Sequence, residues 1–411
     1  MQRRTGVQRR IVLKNCGLID PKDILSYRAR GGFAALQKAQ REMSPAQVIE
    51  EVTASGLLGR GGAGFSCGLK WRLAAQQSAG ERFVICNADE GEVGTFKDRY
   101  LLENDPFTLI EALAIAGWAI GAGKAFLYLR AEYHFLSGLI INSIEQARKK
   151  GFLKELDIEL REGAGAYMCG EESGLMNSIE GLRGEARYKP PFPPVKGLWG
   201  KPTVINNVET FMNIPGIILN GSSWFRELGT ERSKGTKVFS VSGDVAFPGV
   251  YELEMGSKLS ELVLDLAGAK EIKMVQVGGA CGRVLPVEMI DTPLSYESVL
   301  GAGAVTVFDR SRDVIEMMYR NTEFLADESC GRCAPCRDGS EAMLEILRRL
   351  AQGEGATEDI AALQDLSRVM SLSALCGLGQ TASVPVMDTL KFFRKEYENR
   401  IEQSRFLRTL R

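Results

Sequence analysis

Cys330, Cys333 and Cys336, each two residues from the next, are followed forty residues later by Cys376. Read as ligands of one centre, these four thiolates require any fold of the chain to bring residue 376 back onto the 330–336 loop. Iron-sulfur clusters are commonly held by four cysteines in this way, with a distant fourth thiolate completing a cubane. Two other readings stand beside it: a structural zinc site, more often built from two well-separated cysteine pairs, and inert buried thiols. The other five cysteines, Cys16, Cys67, Cys86, Cys169 and Cys281, have no ligand spacing and read as structural, Cys67 being set apart by the glycine loop beside it. Nine cysteines with no secretory leader point to a reducing compartment and not to a disulfide framework. The one histidine, His134, excludes a histidine-rich metal site.

Charge excludes further classes. Lys plus Arg (51) nearly balances Asp plus Glu (52), so no overall field draws the chain to nucleic acid or to an acidic membrane. Residues 1–14 hold four arginines but no following apolar run, which argues against a secretory or transit leader. The longest apolar stretch, 109–129, is interrupted by Glu111, Gly117, Gly121, Gly123 and Lys124, so no direct membrane span is expected. A cytoplasmic protein, peripheral to a membrane only through partners, is the expectation.

Hydrophobic periodicity divides the chain of 411 residues into three parts. In the first, Ser44-Pro45 starts a helix carrying Val48, Ile49 and Val52 at helical spacing, and a second helix is read over 69–77. Strands at 82–86, 125–130 and 156–161 alternate with helices at 108–120 and 136–149, the mark of an α/β sheet, parallel or mixed. From about 237, two short strands (238–243 and 249–253), a helix (259–266) and a strand (274–277) predict a small β-grasp module. From 312, helical spacing in 314–324, 342–350, 360–370 and 384–393 predicts a helical bundle. The expected domains are 1–236, 237–311 and 312–411.

Two glycine-rich loops and one proline run carry the remaining chemistry. Gly59-Arg60-Gly61-Gly62-Ala63-Gly64-Phe65 leaves backbone N-H groups unshielded before a helix, which suits a phosphate or a flat ring, although a ligand-free turn is an equal reading and the pattern matches neither the Walker nor the dinucleotide fingerprint. Asn87-Ala88-Asp89-Glu90-Gly91-Glu92 lies at a strand end, where ligand loops of α/β sheets collect. Gly163-Ala164-Gly165-Ala166-Tyr167-Met168-Cys169-Gly170-Glu171-Glu172 is a second strand-to-helix loop, and Lys189-Pro190-Pro191-Phe192-Pro193-Pro194 reads as a rigid linker or a cleft wall.

Together with Gly68-Leu69-Lys70-Trp71, Trp199-Gly200-Lys201-Pro202-Thr203, Asn206-Asn207-Val208-Glu209-Thr210 and the cysteine set, these segments in this order resemble the NADH-binding flavoprotein subunit of respiratory complex I. The same subunit type recurs in soluble NAD-dependent hydrogenases and formate dehydrogenases. The resemblance runs from about Gly56 to the C-terminus and departs at Cys67, where threonine is expected, and at Val93, where proline is usual. It implies an FMN-binding Rossmann-like domain, an SLBB-like β-grasp module and a helical bundle holding a 4Fe-4S cluster on Cys330, Cys333, Cys336 and Cys376.

It further implies that Gly59, Arg60, Gly61, Gly62, Ala63, Gly64, Lys70, Asn87, Asp89, Glu90, Tyr167, Gly170, Asn206 and Asn207 form the FMN pocket. Phe65 and Phe192 would stack on the nicotinamide nucleotide, and Glu92, Glu171, Glu172 and Lys189 would line the same cleft. No side chain need act as acid or base, because hydride passes between NAD(H) and FMN directly and the cluster then takes single electrons to a partner. The implied partners are a thioredoxin-like 2Fe-2S subunit, a larger iron-sulfur or catalytic subunit, and ferredoxin if the assembly is electron-bifurcating. Acids in the nucleotide cleft favour NADH over NADPH, unless Glu171 serves only to cap the helix that follows it. From another class, a non-catalytic cluster-bearing scaffold, with the β-grasp module binding partners or glycans, would leave both loops idle.

Overall fold

The computed structural model describes residues 8–78 and 80–409; the first seven residues of the N-terminal extension, Ala79 and the last two residues lie outside the described residues. Four helices come first: α1 (Ile24–Ala29), α2 (Ala34–Glu42), α3 (Pro45–Ala54) and α4 (Cys67–Ala75). α3 starts at the expected Ser44-Pro45, where Ser44 Oγ accepts from the Gln47 N-H and the Gln47 side chain accepts from the Ser44 N-H. This reciprocal pair satisfies two of the donors that every helix start leaves open.

Four parallel strands follow, β1 (Phe83–Ala88), β2 (Lys124–Leu129), β3 (Asp157–Glu162) and β4 (Thr203–Asn207), ordered β3-β2-β1-β4. β1 and β2 are apolar without alternation because helices cover both faces. The covering helices are α5 (Lys97–Asn104) and α6 (Pro106–Ile120) after β1, α7 (Ser137–Lys149) after β2, α8 (Glu172–Ile179) and α9 (Pro193–Lys196) after β3, and α10 (Val208–Asn220) and α11 (Ser222–Arg226) after β4. α6 is buried along nearly its whole length as the central core helix. Among the described residues no helix is long and apolar enough to cross a membrane.

A second, five-stranded sheet comprises β5 (Thr236–Gly243), β6 (Gly249–Glu254), β7 (Ile272–Val277), β8 (Arg283–Pro286) and β9 (Ala304–Asp309), in the order β6-β5-β9-β7-β8. β9 enters beside β5 in parallel, and a short π-helical segment, 261–266, crosses behind. The rest is helical: α12 (Val314–Asp327), α13 (Ala334–Ala351), α14 (Glu358–Ser373), α15 (Gly377–Thr381), α16 (Val384–Phe392) and α17 (Arg394–Thr409). The second sheet packs around Phe239, Leu262 and Val307, and the helices pack around Met318, Leu347 and Leu363 in a core that also takes in Met274, Ala280 and Val284 of the second sheet unit.

The structure adds elements that the periodicity does not reveal. α1, α2, α5, β4, β8 and β9 are short, and β4 lies inside Thr203-Val204-Ile205-Asn206-Asn207, where the polar pair masks the strand. In the sheet Asn207 stands beside Asn87, so two asparagines end adjacent strands at the same level. That level is the C-terminal edge of the sheet, where α/β folds bind ligands.

Candidate functional site

A cleft of about 590 Å³ opens at that edge, within the range of small-molecule sites. One wall is Gly61, Gly62 and Ala63; a second is Asp89, Gly91 and Glu92; a third is Tyr167, Met168, Gly170 and Glu171. Gly62 has φ +136°, a conformation kept for glycine, and a Cβ built there meets nothing, so the loop presents bare backbone to open space. Gly61 is glycine for the opposite reason: its Cβ would lie 2.9 Å from Asn207 Cβ. A bare backbone facing a roomy cleft at a strand edge fits a planar, phosphate-bearing cofactor such as FMN.

The other half of the cleft was missed from sequence. Residues 277–283 and 295–302 of the second sheet unit close it, and Gly377, Leu378, Thr381 and Val384 of the helical part reach its far end. The run Gly278-Gly279-Ala280-Cys281-Gly282 was a readable signal for this. Gly279, at φ +78°, makes room for Glu92, whose Cγ would sit 2.2 Å from an added Cβ. Glu92 there accepts from the Ala280 N-H at 2.7 Å and from the Tyr167 hydroxyl at 2.8 Å, binding the first part of the chain to the second. Burial holds its carboxyl above the usual range.

Behind the glycine loop lies a buried charge cluster. Lys97 Nζ is 2.7 Å from Asp98 and 3.0 Å from Glu209, and Lys237 pairs with the same Glu209, all of them almost wholly buried. Burial drives Lys237 down to about 7 against the pull of Glu209, with Lys97 adding repulsion. Lys97 itself stays above its ordinary value, because Asp98, Glu209 and Glu90 outweigh burial. Arg60 is fully buried as well, and its Nε and Nη1 have no hydrogen-bond partner among the described residues. A guanidinium with unspent donors next to a glycine loop favours an anion nearby, whereas Lys97 and Lys237 are committed to Asp98 and Glu209.

The other expected cofactor residues separate by what they touch. Asn87 Nδ2 donates to the Gly170 carbonyl, and Asn207 Nδ2 donates to Asp98, so each fixes one loop to another. Asn206 Oδ1 accepts from Trp71 Nε1 at 3.0 Å, and the Cys67 thiol lies 3.7 Å from the same oxygen. Burial pushes that thiol up to about 12, so Cys67 is an inert core residue. Glu90 faces away from the cleft and accepts from the Asp98 and Arg99 N-H groups at the start of α5.

Phe65 and Phe192 are not among the residues lining the cleft: both are about half exposed, Phe65 next to the glycine loop and Phe192 in the proline run, whose Lys189, Pro191 and Pro193 border a separate pocket. Lys70 reaches Glu172 at 3.2 Å, and Lys189 bridges Glu171 and Glu172 at 2.7 Å each. The second oxygen of Glu171 accepts from the Ser173 and Gly174 N-H groups, so this residue does cap α8. Gly59 lies back from the cleft, its N-H donating to the Phe65 carbonyl, and Gly64 packs on Tyr296.

Cys330, Cys333, Cys336 and Cys376 line one small cavity with Met168, Ser329 and Leu378. Cys333 is the N-cap of α13, Cys336 sits in its first turn and Cys376 is the N-cap of α15, so two helix N-termini point positive charge at the thiols. Gly379 lets α15 come this close, since a Cβ would meet Cys336 Cβ at 2.9 Å. Among the described residues no three His, Cys, Asp or Glu side chains gather as they would for one ion. Thiols spaced around a cavity, and not converged on a point about 2.3 Å from each sulfur, fit a multi-iron cluster better than a single zinc. Met168 and Leu378 line this cavity and the large cleft alike, making a shared wall.

Comparison with known proteins agrees with this geometry. Residues 52–216 match the family model described as the Nuo51 FMN-binding domain, and residues 316–400 match the NADH-ubiquinone oxidoreductase-F iron-sulfur binding region. The NADP-reducing hydrogenase subunit HndC of Solidesulfovibrio fructosivorans is 44% identical over 416 residues, covering 97% of this chain and 84% of that protein. A subunit of the NADH-quinone oxidoreductase of Rhizobium meliloti is 40% identical over 413 residues, 96% and 98% of the two chains. A solved NAD+-reducing NiFe-hydrogenase in its H2-reduced state superposes with a TM-score of 0.84 at 42% identity, covering 87% of this chain. This chain spans 62% of the length of that hydrogenase chain.

Proposed function

The chain belongs to the family of NADH-oxidoreductase flavoprotein subunits that is found in NADH-quinone oxidoreductases and in NAD-reducing hydrogenases, and on that premise we propose that it exchanges hydride with NAD(H) at FMN and passes single electrons through a 4Fe-4S cluster to a partner subunit. The observation that carries the reading is the shared wall: Met168 and Leu378 separate the cleft from the cysteine cavity. When bound, FMN supplies the conversion between two-electron hydride and one-electron chemistry.

The chain's own residues hold and orient. Gly61, Gly62 and Ala63 leave the backbone free for the ring or phosphate, with Gly59, Arg60 and Gly64 setting that loop, and the Arg60 guanidinium adds positive charge behind it, while Lys97 and Lys237 are balanced by Asp98 and Glu209. Asn87, Asn206 and Asn207 brace the strand ends; Asp89, Tyr167 and Gly170 border the ring; Glu90 braces the start of α5. Phe65 and Phe192 would flank a bound nucleotide and Lys70, Lys189 and Glu172 would set the charge beside it, while Glu171 caps α8 at the cleft wall. Cys330, Cys333, Cys336 and Cys376 hold the cluster. The domain division proposed is 1–236, 237–311 and 312–411, with the cleft at the junction of all three.

Cys330, Cys333 and Cys376 are only partly buried, which supports an acceptor docking over them. We assign that role to a thioredoxin-like 2Fe-2S subunit together with a larger iron-sulfur or catalytic subunit, in a cytoplasmic assembly of the complex I or soluble hydrogenase kind, with ferredoxin as a further partner if it bifurcates electrons. Anaerobic purification followed by flavin, iron and sulfide assay tests the cofactor reading. One FMN with about four iron and four sulfide per chain is expected; one zinc without sulfide overturns the cluster, and a colourless protein overturns the flavin.

A further inference from the structure

The loop after β1 carries three acids in four residues, Asp89, Glu90 and Glu92, and the fold satisfies only two of them. Glu90 accepts from two N-H groups at the start of α5 and from the Tyr133 hydroxyl. Glu92 accepts from Ala280 and Tyr167. The Asp89 backbone N-H donates to Asn87, but its carboxylate makes no hydrogen bond or ion pair with any of the described residues and lines the cleft instead. The cation nearest in effect is already committed: Arg130 donates to the Glu90 carbonyl at 2.6 Å and pairs with Glu132 at 2.7 Å.

An unpaired, partly buried carboxylate in the wall of a ligand cleft is sensitive to the charge that the cleft holds. Resting on the reading of this cleft as the flavin site, we propose that Asp89 takes up one proton from solvent when a flavin beside it is reduced, and so ties the flavin midpoint potential to pH. Hydride brings two electrons and one proton, hence one net negative charge. Coulomb repulsion from that charge favours the neutral acid at Asp89, which gains its proton from water at the cleft mouth and returns it on reoxidation.

The groups facing Asp89 permit this. Burial drives its carboxyl up to about 7; Arg130, from the end of β2, pulls it down, and Glu132 in the following turn and Glu328 at the end of α12 push it up. Across the cleft, Arg283 is bonded to Asp388 and Lys189 to Glu171 and Glu172, so neither cation is free to neutralise Asp89, while the acid Glu92 is held by Tyr167. Asp89 therefore stands poised to change its protonation in the ordinary working range of pH.

The test is a spectroelectrochemical titration of the flavin in the full-length wild type, Asp89→Asn and Asp89→Glu, from about pH 6 to about pH 9. One extra proton per two electrons steepens the potential by about 30 mV per pH unit. Asp89→Asn is expected to match wild type near about pH 6 and to rise above it by about 30 mV for each pH unit beyond about 7, with Asp89→Glu keeping the wild-type slope. A gap that is the same at every pH, or no gap, overturns the proposal, because a merely structural loss would shift the potential uniformly. If Asp89→Asn fails to retain flavin, the wild-type slope decides: about 60 mV per pH unit above about pH 7 supports the extra proton, and about 30 mV overturns it. Wild-type protein that binds no flavin would remove the reading of the cleft, and this proposal with it.

Discussion

Two neighbouring glutamates differ in what holds them: Glu171 is spent on the fold, and Glu172 is held by two lysines. Glu171 spends one oxygen on the first N-H groups of α8 and the other on Lys189, whereas Glu172 has its carboxylate between Lys70 and Lys189. Those two lysines hold Glu172 below the usual carboxylate range in spite of burial. A 2′-phosphate beside it would meet a permanent negative charge, while a ribose hydroxyl would meet an acceptor. Glu172→Gln is expected to raise kcat/KM for NADPH relative to NADH about 5- to 50-fold with flavin retained. Glu171→Gln should instead cost about 1 kcal/mol of stability, seen as a lower Tm, and leave the nucleotide preference unchanged. Steady-state kinetics with both nucleotides separates the two, and wild type using both equally well would remove Glu172 as the discriminator. The similarity to a hydrogenase subunit named as NADP-reducing makes this a question for the individual residue and not for the family.

Between elements, buried carboxylates act as long-range clamps. Glu252 on β6 accepts from the N-H groups of Ile11, Val12 and Leu13 and from the Thr236 hydroxyl, pinning the N-terminal segment to the second sheet. Glu111 in α6 does the same for the start of α2 through the Phe33 and Leu36 N-H groups. Glu252→Ala strands several buried donors and should cost roughly 2–4 kcal/mol in urea unfolding, with faster hydrogen exchange at residues 11–13 as the local signature. Unchanged exchange there would contradict the clamp. These clamps mark the limit of what could be read from the chain. α3, α6 and α12 carry local caps and apolar spacing, and the glycine loop and cysteine set announce their chemistry locally. The contact between Val12 and Glu252, the Lys97–Glu209–Lys237 cluster and the closing of the cleft by residues 295–302 depend on partners far along the chain, and no local pattern encodes them. Strands β8 and β9 escaped notice for a related reason: β8 has only four residues, and β9 is defined by pairing beside β5 and β7.

Over the whole molecule, the first sheet unit, the second sheet and the helical part each supply a wall of one cleft. The sheet edge supplies the glycine loop and Asp89, the second sheet supplies residues 277–283 and 295–302, and the helical part supplies Leu378 next to Cys376. With Met168 and Leu378 lining both, the proposed function makes the cleft and the cysteine cavity one electron path. The direct test is anaerobic titration with NADH, followed by flavin absorbance and by low-temperature electron paramagnetic resonance, on wild type and Cys376→Ser. In wild type, NADH should bleach the flavin and reduce the cluster in the same titration. In Cys376→Ser the flavin should still bleach, and still serve artificial acceptors, with the cluster signal lost. A wild-type cluster that dithionite reduces but NADH does not, in protein whose flavin NADH has fully bleached, would contradict the claim.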